Sequence, residues 1–123
     1  MISIENVHKS YVAKQEAAVL RGVDLTIKDG EFVAILGKSG SGKTTLLNLI
    51  GGLDRNYTGN VLVEGKNLKK LKDSELSRFR NTTIAFVFQS FNLLPHLSCR
   101  ENVAFPAYFN KKYSRKEIIK RTN

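Results

Sequence analysis

Apolar and polar positions change their period several times along the chain. Ile2 and Ile4 alternate with Ser3 and Glu5, and Val23-Asp24-Leu25-Thr26-Ile27-Lys28 alternates cleanly. That period of two belongs to half-buried strands. Residues 32–36 and 84–88 are instead continuously apolar, as in strands covered on both faces. Asp29-Gly30, between the alternating run and the first apolar run, predicts a hairpin. Residues 61–63 form another short strand pattern that ends at Gly65. Residues 45–50 read as a helix facing a core, ended by Gly51-Gly52. The polar stretches 11–18 and 56–59 read as loops. Asp73 or Ser74 can cap a short helix reaching Phe79. Ser98-x-x-Glu101 and Ser114-x-x-Glu117 are capping boxes, the first for a helix beginning near Cys99. Pro106 kinks or ends that helix.

Between the apolar run 32–36 and the helix stands Gly37-Lys38-Ser39-Gly40-Ser41-Gly42-Lys43-Thr44. It fits G-x-x-x-x-G-K-S/T, the phosphate-cradling loop of nucleoside triphosphatases, in the strand–loop–helix setting that its mechanism needs. Glycine permits backbone turns that aim successive N–H groups at phosphate oxygens. The helix that follows points its positive end at the same place. Lys43 is then the contact for the β- and γ-phosphates, and the Thr44 hydroxyl a ligand for Mg²⁺. The competing reading is a glycine-rich turn that binds nothing.

The 123 residues suffice for one domain with a modest core. A net charge of +9, from 20 basic and 11 acidic residues, favours anionic partners. The basic residues scatter through 66–72, 78–80 and 111–121, as on a solvated face, and no groove-reading or base-stacking motif accompanies them. A specific nucleic-acid partner is therefore not expected. No apolar stretch approaches the ~18 residues of a membrane helix. Met1-Ile2-Ser3-Ile4-Glu5 lacks the basic start and apolar core of a signal peptide. Cys99 is the single cysteine, which leaves no internal disulfide and suits a reducing cytoplasm.

Further features converge with the phosphate loop. Tyr11 lies upstream of it, and Leu49-Ile50-Gly51-Gly52-Leu53-Asp54 follows it. Then come Thr58-Gly59-x-Val61 and Ile84-Ala85-Phe86-Val87-Phe88-Gln89-Ser90-Phe91-Asn92-Leu93-Leu94-Pro95-His96-Leu97-Ser98, and finally Glu101-Asn102-Val103. Over essentially its whole length the chain resembles the ATP-binding subunit of ABC transporters. Within them it is most similar to the branch serving lipoprotein release, macrolide export and antimicrobial-peptide export. Lys38 departs from that branch, which usually has proline there. The position contributes mainly backbone.

The resemblance implies an α/β fold. An antiparallel β layer of residues 2–7, 23–27 and 61–63 is expected beside a P-loop NTPase core built from 32–36 and 84–88. It implies roles for single residues as well. Tyr11 would stack on adenine. Gly37, Ser39, Gly40, Ser41, Gly42, Lys43, Thr44 and Thr45 would hold the phosphates of ATP. Thr44 and Gln89 would meet Mg²⁺, and Lys43 and Gln89 would serve the chemistry, Gln89 by meeting the attacking water. The surface from Gln89 to Leu97 would receive a helix of a membrane permease. The complete protein would pair with a second ATPase subunit at the cytoplasmic face of the membrane. His8 and His96 fall outside the family's switch position and read as non-catalytic. The family's Leu-Ser-Gly-Gly-Gln signature, its Asp-Glu after four apolar residues and its switch histidine do not occur in these residues. Residues 1–123 are thus expected to be the amino-terminal part of one ATP-binding domain, holding nucleotide without hydrolysing it at a rate useful for transport.

Overall fold

Every strand in residues 1–72 has an antiparallel partner, and hairpins join the first strand to the second and the third to the fourth. The computed structural model describes residues 1–12, 16–110 and 112–122, and divides into two units, residues 1–72 and 73–123. In the first, β1 (Ile2–Val12), β2 (Glu16–Ile27), β3 (Thr58–Val63) and β4 (Lys66–Asn67) form one sheet in the order β2-β1-β3-β4. Ile4 lies opposite Leu25 on one side and Val61 on the other. Glu64 and Gly65 both have positive φ, 49° and 72°. That is the two-residue turn whose twist suits a hairpin, and it joins β3 to β4.

A bulge in β1 resets which face its side chains occupy. Ile4 is buried, Glu5 and Asn6 are exposed, and burial resumes at Val7 and Lys9. The register slips between Ile4 and Val7 against β2, and between Glu5 and His8 against β3. Asn6 sits at φ 47°, and its N–H donates to Asp24 Oδ1 at 2.8 Å. One extra residue in a strand moves the side chains beyond it to the opposite face. The Asn6 carbonyl crowds β3 so closely that a Cβ at Gly59 would lie 2.3 Å from it. Only glycine fits there.

The helix α1 (Lys43–Ile50) packs against β3, burying Leu46 and Leu49, which lie one turn apart. With Ile4, Val7, Leu20, Tyr57, Val61, Val63 and Leu68 they make the core of this unit. The second unit holds α2 (Asp73–Thr83), α3 (Cys99–Ala104), a 3-10 turn at Phe105–Phe109, and α4 (Arg115–Arg121). Leu76, Phe79, Ala104 and Ile118 are buried in it. The Asn81 side chain donates to the Pro106 carbonyl at 2.9 Å, tying α2 to the 3-10 turn.

Several expectations need correction. Residues 11–12 and 16–18, read as loop, belong to β1 and β2, while 13–15 lie outside the described residues. The pairing of β1 with β2 decides these residues, whose local composition favours no strand. Residues 58–59, also read as loop, begin β3. The turn at Asp29-Gly30 exists, with the Glu31 N–H bonded to the Lys28 carbonyl, but its second arm forms no ladder. Neither 32–36 nor 84–88 is in a strand. Phe32 is 96% exposed, and Leu36 and Val87 are nearly as open or more so. A parallel strand needs a neighbour delivered by a long crossover rather than by a tight turn. Among the described residues neither run has one. Pro106 ends α3 as expected, turning it into the 3-10 segment.

Candidate functional site

The run from Gly37 to Thr45 leads into α1. Lys38 accepts a bond from the Ser41 N–H at 3.2 Å, closing a turn. Gly42 takes φ 92° as the residue before the helix, and the first helical bond runs from the Leu46 N–H to its carbonyl at 2.8 Å. A Cβ at Gly42 would meet the Leu20 side chain and the Val19 side chain and carbonyl at 3.0–3.1 Å. Glycine therefore lets the loop lie against β2 and start the helix there. Being glycine, it caps no first-turn N–H with a side chain, and those groups have no intrahelical partner either.

Lys43 arches back over the loop. Its ammonium donates to the Gly37 carbonyl at 2.9 Å and the Lys38 carbonyl at 2.7 Å, with Ser41 Oγ at 3.5 Å. One positive charge thus stands at the mouth of a ring of backbone. The Thr44 hydroxyl is on an exposed residue beside it, and Ser39, Gly40 and Ser41 are exposed. No group of three or more His, Cys, Asp or Glu side chains converges on a metal position among the described residues.

Tyr11, in the same unit, lies on β1 opposite Ala17 and is 43% exposed. It shares its face of the strand with Lys9, whose ammonium is 4.6 Å from the ring centroid. Lys9, which sequence reasoning passed over, is 4% exposed. Its Nζ donates to Asp54 Oδ2 at 2.7 Å and to the Asn56 carbonyl at 2.6 Å. Burial by itself would raise the Asp54 carboxyl. The hydrogen bond from Lys9, the Asn56 N–H, the Lys9 charge and a hydrogen bond from Tyr11 together outweigh it and hold the group below the ordinary carboxylate value. The only signal in the sequence was a lysine at an outward phase of a strand whose phase is reset upstream.

Gln89 belongs to the second unit, exposed in the irregular stretch between α2 and α3. The chain beyond it is shaped by Asn102 on α3. That side chain accepts from the Leu94 N–H at 2.8 Å and donates to the carbonyls of Leu94, Leu97 and Ser98 at 3.0–3.1 Å. Asn92 sits at φ 50° and accepts from Ser90 Oγ at 3.1 Å. Phe91 and Leu93 are exposed, so they do not serve as core here. Ser98 and Glu101 complete the capping box that starts α3.

Comparison with known proteins fixes the family. The family model described as ABC transporter matches residues 20–123. The bacitracin export ATP-binding protein BceA of Halalkalibacterium halodurans is 42% identical over 112 residues, covering 90% of this chain and 44% of that protein. The lipoprotein-releasing system ATP-binding protein LolD of Francisella tularensis is 44% identical over 124 residues, covering all of this chain and 54% of that one. A solved dimeric ATP-binding cassette, MJ0796 bound to ADP and Pi, superposes with a TM-score of 0.90 at 43% identity, over 99% of this chain and 54% of that one. The chain spans about half the length of these relatives. On the phosphate loop, the antiparallel layer and these matches together, the chain belongs to the ABC transporter family, among its ATP-binding proteins.

Proposed function

We propose that residues 37–45 bind Mg-ATP and that, in the complete protein, its hydrolysis powers export or release of a substrate through a membrane permease. The observation that supports this most is Lys43, bent over the loop onto the Gly37 and Lys38 carbonyls, beside first-turn N–H groups that no side chain caps. An anion of triphosphate geometry answers both needs at once. Ser39 to Thr45 would supply amides and hydroxyls to it, and Tyr11 would stack on the base. Thr44 and Gln89 would hold the Mg²⁺, which when bound neutralises charge on the β- and γ-oxygens. Gln89 would also orient the attacking water.

The direction of transport rests on the relatives, one named for bacitracin export and one for lipoprotein release. The surface from Gln89 to Leu97, with Phe91 and Leu93 turned to solvent, would take a permease helix at the cytoplasmic face of the membrane. A second ATPase subunit would close the nucleotide site, as the dimeric form of the related cassette suggests. A narrower reading, binding without turnover, applies to residues 1–123 by themselves, because no carboxylate among them follows four apolar residues.

Calorimetric titration of the intact protein with Mg-ATP tests the core of the proposal. Binding is expected in the wild type and its loss in Lys43→Ala. Equal binding by both would overturn it. A phosphate-release assay then separates the two readings, since turnover that Lys43→Ala removes belongs only to the first.

A further inference from the structure

Among the described residues, Lys9 is the only charged side chain that is buried. The bulge at Glu5 and Asn6 puts it inside, and Asp54 with the Asn56 carbonyl receives it. Two donors of its ammonium are spent there, and the charge lies against the Tyr11 ring. Tyr11 is therefore held at its face by the cation of one ion pair. A fixed cation over the ring face favours one plane of the ring as well as one place.

The other end of this arrangement is the helix of the phosphate loop. The Leu53 N–H bonds back to the Asn48 carbonyl at 2.8 Å, so Asp54 follows directly from the end of α1. The Asn56 N–H returns to Asp54 Oδ1 at 2.8 Å and fixes the carboxylate's aim. A helix is stiff along its axis, and α1 runs from Lys43 at the loop to Ile50 beside this turn. The strand bearing Tyr11 and the helix bearing Lys43 are thereby locked to each other. Packing alone does not require an ion pair for that purpose, since apolar replacements of buried pairs are often neutral. What a charged, directional pair adds is orientation.

We propose that Lys9 and Asp54 are positioning residues for nucleotide binding, holding the Tyr11 ring at a set place relative to α1 so that base and phosphates of one ligand are met together. The inference rests on the reading of Tyr11 as the base-stacking residue. It assigns the pair to the base and not to the phosphates, and that division is measurable.

Calorimetry on the intact protein compares Mg-ATP with Mg-tripolyphosphate, which offers phosphates without a base. Tyr11→Ala is expected to weaken ATP roughly tenfold, the loss of one base stack, and to leave tripolyphosphate within about twofold. Lys9→Met and Asp54→Asn are expected to do the same although Tyr11 is present, with Lys9→Arg recovering part of the loss. If both pair variants bind ATP like the wild type while Tyr11→Ala is weakened, the proposal falls and the stacking reading survives. If they weaken both ligands equally, the pair serves only the fold and the proposal also falls. If Tyr11→Ala binds ATP normally, the stacking reading itself is wrong. Should Lys9→Met fail to fold, Asp54→Asn decides, because it keeps a side-chain oxygen for Lys9 and leaves the Asn56 carbonyl in place.

Discussion

The sheet of the first unit and the apolar run 32–36 just after it have similar side chains and opposite fates. Ile4, Val7, Val61 and Val63 are buried on strands that each have an antiparallel neighbour, through a hairpin for β1–β2 and β3–β4 and across a long stretch of chain for β1–β3. Phe32 and Leu36 are no less apolar, yet they stand in solvent. The difference is one of partners rather than of composition. Antiparallel neighbours arrive through turns such as Glu64-Gly65, and the interior face is then covered by α1. A strand meant for the middle of a parallel sheet must wait for a crossover to bring its neighbours. Residues 84–88, in the second unit, share the condition of 32–36. Apolar character marks a segment as one that will be covered, but pairing decides whether these residues do the covering.

The largest effect that tests this contrast is in the core. Leu49, fully buried on α1, should cost about 2–5 kcal/mol when cut to alanine. Phe32→Ala removes a larger side chain but should change stability by no more than about 0.5 kcal/mol. Urea unfolding, followed by a probe in the first unit, measures both. Equal costs would mean that residues 32–36 are covered in solution, and the contrast would collapse.

A step smaller is the pair Gly59→Ala and Gly30→Ala. Both glycines have positive φ, 83° and 79°, but a Cβ at Gly59 would strike backbone at 2.3–2.7 Å while one at Gly30 would meet nothing. The left-handed backbone alone costs a side chain about 1–2 kcal/mol. Gly59→Ala should exceed Gly30→Ala by at least about 1 kcal/mol, because β1 and β3 must also part. Similar values from thermal unfolding would show that the bulge at Asn6 yields easily, and that the sheet is less fixed than its register implies.

Much of this was legible beforehand, and the failures share one cause. The alternation of residues 23–27, the glycine before α1 and both capping boxes depend on neighbours within about four positions, and the structure bears them out. The pattern at Ile2 and Ile4 also read correctly, but its phase did not survive Asn6. A bulge is decided by the fit of three strands, here at Gly22, Asn6 and Gly59, so alternation alone could not foretell that Lys9 would face inward. The same holds for 11–12 and 16–18, whose local pattern reads as loop and which pair across the sheet. Within the site, the loop 37–45 was visible as a contiguous signature. The Lys9–Asp54 contact was not, since it spans 45 positions and each residue taken singly looks like a surface charge.

The helix starts of the second unit give a smaller, local version of the contrast. Ser98→Ala should cost about 1 kcal/mol, read as faster amide exchange confined to α3 and to the segment 94–98 that Asn102 braces. Exchange that rises equally in the sheet would show that the cap is not a local device.

The finest effect is on proton binding in those caps. In each box the glutamate accepts from the serine hydroxyl at 2.7 Å and from the serine N–H at 2.8 Å. Hydrogen bonding to the serine side chain, then to its backbone, holds Glu101 and Glu117 below their ordinary value of 4.5. A carboxyl whose value is lower in the folded state adds stability that is complete above 4.5 and is lost as pH falls through the lowered value. Acidification below about pH 4.5 should therefore loosen α3 and α4. Both carboxylates are open to solvent, so the effect is small and best seen on the groups themselves. In a carboxyl-resolved NMR titration, Glu101 should titrate below the ordinary glutamate value of 4.5. Ser98→Ala should bring it back up while leaving Glu117 where it was. A wild-type Glu101 that titrates at the ordinary glutamate value would show that the box is not closed in solution, and that the start of α3 depends on packing rather than on its cap.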